Sequence, residues 1–102
     1  NYTAAWRFSR GAGQKVAVID TGVNRHPRLP LLEGGGDYVS NTDGLQDCDA
    51  HGTLVAGLIA GTPSPADGFA GVAPEAAAYL KARQAFHHPV EQHDVGRAFP
   101  GQ

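Results

Sequence analysis

Asp20 and His51 are the two residues of this chain whose surroundings are hardest to explain by packing alone. Asp20 closes the apolar run KVAVID, and a carboxylate at the end of a buried strand is costly unless it has partners or a task. His51 stands at the mouth of an apolar helix in the stretch DCDAHGTLVAGLIAG. There the helix dipole disfavours imidazolium and helps to hold a neutral base. If the helix packs beside the strand, the carboxylate can accept a hydrogen bond from Nδ1–H, fix the tautomer and leave Nε2 free to take a proton. Each residue by itself has an ordinary explanation. Asp20 alone could be a turn aspartate bonded to nearby N–H groups, and His51 alone a histidine satisfied by backbone. The two together, in this order, outweigh those explanations.

The elements that must position the pair follow from the apolar pattern. Val16, Ala17, Val18 and Ile19 form a short continuous run, the pattern of a strand covered on both faces in a parallel sheet. Asp20-Thr21-Gly22 stops it, and in open α/β sheets the carboxyl ends of strands are where sites are built. His51, Leu54, Val55, Leu58 and Ile59 share one stripe of a helix, which is expected to face the core with His51 in its first turn. Asp47 and Asp49 precede that helix, placed to cap its free N–H groups, and Gly61 followed by Pro63 ends it.

The rest is shorter. TAAWRFSRGAG predicts a short N-terminal helix capped by Thr3 and ended by Gly11 and Gly13. NRHPRLPLLEGGGDYVSNTDGLQD is loop chemistry, with DYVS as a brief strand inside it. EAAAYLKARQAF favours helix by propensity, but its place after a strand–helix unit predicts a strand near Ala78 to Arg83. HHPVEQHDVGRAFPGQ has no clear periodicity. Strand, loop, helix, loop and strand in that order make the start of an α/β sheet.

VAVIDTGV, HPRL, DAHGTLVAGLIAG and GVAP, in register between Lys15 and Pro74, resemble the first half of a subtilisin-like serine protease. That family has the order Asp, His, Ser, with D-T-G around the aspartate and H-G-T-x-V-A-G at the histidine. The resemblance implies the N-terminal portion of a subtilisin-like parallel-sheet fold. Residues 1–102 would be part of one peptidase domain, with motifs within 15–74 and an unassigned tail at 87–102. It implies catalytic roles for Asp20 and His51, with Thr21, Gly22, Gly52 and Thr53 as supporting motif residues.

GGGDYVSNTDGLQDCDAHGTLVAG resembles, more narrowly, the mycosins, the subtilisin-like proteases attached to type VII (ESX) secretion systems of mycobacteria and related actinobacteria. In them a cysteine just before D-A-H-G-T forms a disulfide with a later cysteine, so Cys48 is a disulfide candidate whose partner is absent from this chain. The resemblance also implies peptide or protein substrates and the type VII secretion membrane complex as partners. It places the enzyme on the extracytoplasmic face of the cell membrane, held by a C-terminal transmembrane helix that no segment here supplies. Asp20 and His51 call for no metal; calcium occurs in some relatives, but no carboxylate-rich loop here demands it, and no cofactor is expected.

The family's nucleophile lies in G-T-S-x-A, later in the fold, as does its oxyanion asparagine. Ser9, Ser40 and Ser64 stand in FSRG, VSNT and PSPA, none of which matches. A carbonyl beside His51 would find neither an attacking group nor a site for the developing negative charge. The chain by itself is therefore expected to be inactive. The alternative role is a non-catalytic structural component of the secretion complex.

Composition removes several other classes. A chain of 102 residues that is 41% hydrophobic is one domain or a piece of one, slightly lean for a self-sufficient core. A net charge of −2, with the charges scattered, offers no polybasic surface for nucleic acid. No apolar run approaches the roughly 20 residues that span a bilayer, so a membrane enters only through a segment absent here. The N-terminus has neither a basic nor a hydrophobic signal region, so any signal peptide is expected to be gone. Cys48 and His51 form C-x-x-H, and His87, His88 and His93 add imidazoles, but the finger spacings that hold zinc are missing. Arg7, Arg25 and Arg28 are expected to be solvated loop charges, and Trp6 and Phe8 packing residues.

Overall fold

Three parallel strands and one helix bring the two residues into range. β1 (Lys15–Asp20) and β2 (Leu32–Asp37) both run parallel to β3 (Ala77–Ala82), which lies between them, and α1 spans His51–Ala60. The structure, a computed structural model, describes residues 1–39 and 41–83. The register runs from Lys15 opposite Ala77 to Asp20 opposite Ala82, and the Arg83 N–H donates to the Asp20 carbonyl at 2.8 Å. Of the expected strands, β1 and β3 and their parallel pairing are present, β3 within one residue of its expected bounds.

One hydrophobic cluster holds the layers together. Val18, Val23, Leu29, Ala56, Ala60, Ala78 and Leu80 are buried, with Leu32, Leu45, Val55 and Ile59 packed against them. β1 was expected to be covered on both faces. α1 covers the face that carries Val18, while Ile19 on the other face is 66% exposed among the described residues.

The inward stripe of α1 differs from the expected one. Gly52, Ala56 and Ala60 are its buried residues, whereas Leu54 and Leu58 are 68% and 59% exposed. Spaced four apart, these small residues let the helix backbone lie close to the sheet, which a row of leucines would prevent. His51 therefore points from the helix mouth into solvent rather than along the core-facing stripe. The helix ends at Gly61 as expected, and the Val72 and Ala73 N–H groups donate to its last free carbonyls, those of Leu58 and Ile59, at 3.0 and 2.8 Å.

β2 forms where loop chemistry was expected, upstream of DYVS. Tyr38 and Val39 lie in a turn, and Ser40 is outside the described residues. The glycines that read as loop serve a close approach: a Cβ on Gly35 would stand 2.3 Å from the Leu80 carbonyl oxygen and 2.7 Å from the Tyr79 ring.

The N-terminal helix is a 3-10 helix over Tyr2–Arg7, and its cap is Asn1, whose side chain accepts from the Thr3 N–H at 3.2 Å. It docks on the loop after α1, with Trp6 Nε1–H donating to the Val72 carbonyl at 2.8 Å and the Tyr2 hydroxyl to that of Ala70 at 3.0 Å. Trp6 thus packs as expected, while Phe8 is exposed. Arg7 and Arg25 are exposed, but Arg28 is not a free loop charge. Its guanidinium donates to the carbonyls of Thr62 (3.0 Å) and Phe69 (2.6 Å) and pairs with Asp67 at 2.6 Å, tying the loop after β1 to the loop after α1. Among the described residues no helix is long and apolar enough to cross a membrane.

Candidate active site

β1 delivers Asp20 at its carboxyl end, and α1 begins at His51. His51 Nδ1 lies 2.8 Å from Asp20 Oδ1 and 3.0 Å from Oδ2. The Asp20 side chain is 16% exposed and that of His51 67%, so the carboxylate is sheltered and the imidazole reaches outward. Asp20 Oδ1 also accepts from the Thr21 N–H at 2.7 Å.

Burial pushes the Asp20 carboxyl up. The Thr21 N–H bond and the hydrogen bond and charge of His51 outweigh that effect and hold it below the ordinary carboxylate range. An ionised carboxylate can only accept, so Nδ1 donates and the Nε2 lone pair of the neutral ring is left free. The helix dipole was expected to favour the neutral form of His51. Instead the hydrogen bond to Asp20, followed by its charge, raises the His51 pKa. A contact at 2.8 Å outweighs a partial charge at an exposed helix end.

The glycines of D-T-G and H-G-T are where the two segments touch. A Cβ on Gly52 would lie 2.0 Å from the Gly22 carbonyl oxygen and 3.1 Å from the Asp20 Cβ. Gly22 itself has φ +134°, and a Cβ there would lie 2.1 Å from the Gln46 carbonyl oxygen. A side chain at Gly52 would collide with the turn after β1, and one at Gly22 with the segment leading into α1.

The threonines of the same motifs bond to a third residue. The Thr21 hydroxyl donates to Asp47 Oδ1 at 2.8 Å and accepts from the Gly52 N–H at 3.0 Å. The Thr53 hydroxyl donates to Asp47 Oδ2 at 2.6 Å and accepts from the Asn24 N–H at 3.0 Å. Asp47 was expected only to cap α1, which it does through the Ala50 and Thr53 N–H groups. Asp49, expected beside it as a cap, is exposed. The residue at the cap position is Ala50, with no side-chain cap bond and φ +72°. Nothing in the sequence signalled Asn24, whose amide donates to the Asp47 carbonyl and accepts from the Asp47 N–H, both at 2.9 Å.

Among the described residues, none of the remaining candidates is seen to hydrogen-bond to the pair. The Ser9 and Ser64 hydroxyls accept from the N–H groups of Gly11 and Ala66 in local turns, at 3.1 and 3.2 Å. Cys48 is exposed with a free thiol, and as the chain's one cysteine it closes no disulfide within these residues. His87, His88 and His93 lie outside the described residues. Among the described residues no group of three or more His, Cys, Asp or Glu side chains is placed to hold a metal ion.

A parallel sheet with an aspartate at a strand end, bonded to a histidine that opens a helix, defines a class, and the chain belongs to the subtilase family, whose profile matches residues 11–88. It is 66% identical to Mycosin-3 of Mycobacterium tuberculosis over 76 residues, 74% of this chain and 16% of that protein. It is similar in structure to the MycP3 protease from the type VII (ESX-3) secretion system, with a TM-score of 0.77 and 66% identity, covering 80% of this chain and 22% of that one. A chain in the periplasmic assembly from the ESX-5 inner membrane complex matches with a TM-score of 0.79 and 41% identity, covering 96% of this chain and 30% of that one. The chain thus spans a minor part of each relative's length.

Proposed function

We propose that this chain supplies the general base and its orienting carboxylate to a serine endopeptidase of the mycosin type that serves type VII secretion outside the cytoplasmic membrane. The observation that carries this reading is the 2.8 Å contact between His51 Nδ1 and Asp20 in a chain of the subtilase family. In the proposed reaction a serine from beyond these residues attacks the peptide carbonyl while His51 Nε2 takes its proton. Asp20 stabilises the imidazolium that forms, and His51 then gives the proton to the departing amine. Water, deprotonated by the same imidazole, releases the acyl group. Thr21, Gly22, Gly52 and Thr53 hold the two segments together. Similarity to a chain of the periplasmic ESX-5 assembly supports the location and the membrane-complex partner.

Two proteins test this. The purified 102-residue chain is expected to give no turnover of a fluorogenic peptide; turnover that His51→Ala abolishes would show that it holds an attacking group after all. A chimaera of Mycosin-3 carrying residues 11–83 of this chain in the matched segment is expected to keep the parent's activity. A folded chimaera that has lost it would overturn the assignment. The ESX-5 likeness also favours a second reading, a structural part in the assembly; secretion that survives His51→Ala in the chimaera would support it.

The pH dependence follows from the same pair. Neutral His51 is the active form, and its pKa is raised by Asp20. kcat/KM of the chimaera is therefore expected to fall with decreasing pH, with a midpoint above the ordinary histidine value of about 6.5. Asp20→Asn lowers that midpoint as well as the plateau. A flat profile from about pH 5 to 8 would contradict the role of His51.

A further inference from the structure

Asp47 hydrogen-bonds to neither Asp20 nor His51, yet it is bonded to both segments that carry them. Its side chain accepts from the Thr21 hydroxyl, next to Asp20, and from the Ala50 N–H, the Thr53 N–H and the Thr53 hydroxyl around the start of α1. Thr21 passes the link onward by accepting from the Gly52 N–H. The Asp47 backbone is in turn pinned by the Asn24 side chain. We infer that Asp47 is a positioning residue, a carboxylate clamp that locks the turn after β1 to the mouth of α1 so that Asp20 and His51 meet.

The chemistry selects a carboxylate. All the groups that converge on the Asp47 carboxylate are donors, and an ionised carboxylate offers about four acceptor sites with no hydrogen of its own. An asparagine would aim its NH2 at one of those donors and leave a buried group unpaired. Asp47 is 5% exposed, so water does not substitute for a lost partner. Burial pushes its carboxyl up, but the bonds from Thr53, Thr21 and Ala50 outweigh this and keep it ionised. The clamp also holds Ala50, next to His51 in sequence, at φ +72°, which an alanine adopts only when its surroundings impose it. Small displacements at that point matter, because an error of about 1 Å in a catalytic contact can lower a rate by about 100-fold.

The inference rests on the proposed function only for what the Asp20–His51 pair is for; the clamp itself is read out in the 102-residue chain without any assay of activity. The His51 pKa is followed by NMR of the imidazole, assigned by its loss in His51→Gln. The drop caused by Asp20→Asn is then compared in the wild-type, Asp47→Asn and Thr21→Val backgrounds. Asp47 and Asp49 also act on His51 through their charge, so Asp47→Asn lowers its pKa in any case. The diagnostic quantity is the additional effect of Asp20→Asn. A clamp predicts that this effect shrinks to less than about half in Asp47→Asn and in Thr21→Val, and returns in Thr21→Ser. Undiminished, additive shifts would overturn the clamp while leaving the pair intact. No effect of Asp20→Asn in the wild type would overturn the pair, and the clamp with it. Methyl dispersion of Val23 and Leu80 reports the fold. If Asp47→Asn unfolds the chain, the Thr21 pair, which changes no charge, decides.

Discussion

His51→Ala in the Mycosin-3 chimaera is expected to lower kcat by about a million-fold with KM little changed, and Asp20→Asn by about 10,000-fold. The difference follows from the two proposed roles. Without His51 nothing takes the serine proton, so the attack loses its base altogether. With asparagine at position 20 the imidazole remains, but the partner that dictates its tautomer and stabilises the imidazolium is gone. Because the two residues act as one unit, the double variant is expected to be no slower than His51→Ala alone. Single-turnover measurements with an activated ester substrate separate the chemical step from binding. A His51→Ala effect of tenfold or less would mean that another group serves as the base.

The second large effect is on stability. Gly52→Ala is expected to destabilise the chain by about 4 kcal/mol or more, because the new methyl group meets backbone rather than a movable side chain. It would stand 2.0 Å from the Gly22 carbonyl oxygen, and Gly22 is itself wedged against Gln46. Neither segment can retreat without pulling Thr21 from Asp47 and His51 from Asp20. Gly57→Ala is the control. It lies in the same helix with nothing within 4 Å of its added Cβ, and a gain of up to about 1 kcal/mol is expected from the better helix former. Urea melts of the two variants give the comparison. A Gly52→Ala chain as stable as the wild type would mean that the helix and the turn after β1 do not make this contact.

Gly22 and Gly52 also mark the boundary between what could be read and what could not. The sequence by itself determined the elements whose signals are local. KVAVID is an apolar run long enough for a strand, and α1 is bounded by its first apolar residues and by Gly61. The meeting of Asp20 with His51 was legible because the motifs around both residues match one family in order and spacing.

What depends on distant parts of the chain was decided by the tertiary structure. LEGGGD has the composition of a loop, and it becomes β2 because bare backbone is what fits beside Leu80 and Tyr79 of β3. Which stripe of α1 turns inward was set by the distance at which helix and sheet pack; that distance admits Gly52, Ala56 and Ala60 and leaves Leu54 and Leu58 outside. The raised pKa of His51 followed chiefly from its contact with Asp20 rather than from its place on the helix. Asp47 looked like a simple cap, because its bond to Thr21 crosses 26 residues and its link to Asn24 crosses 23. Pattern and propensity report on neighbours within a few turns of chain; hydrogen bonds and steric contacts between separate segments exist only once the fold has brought those segments together.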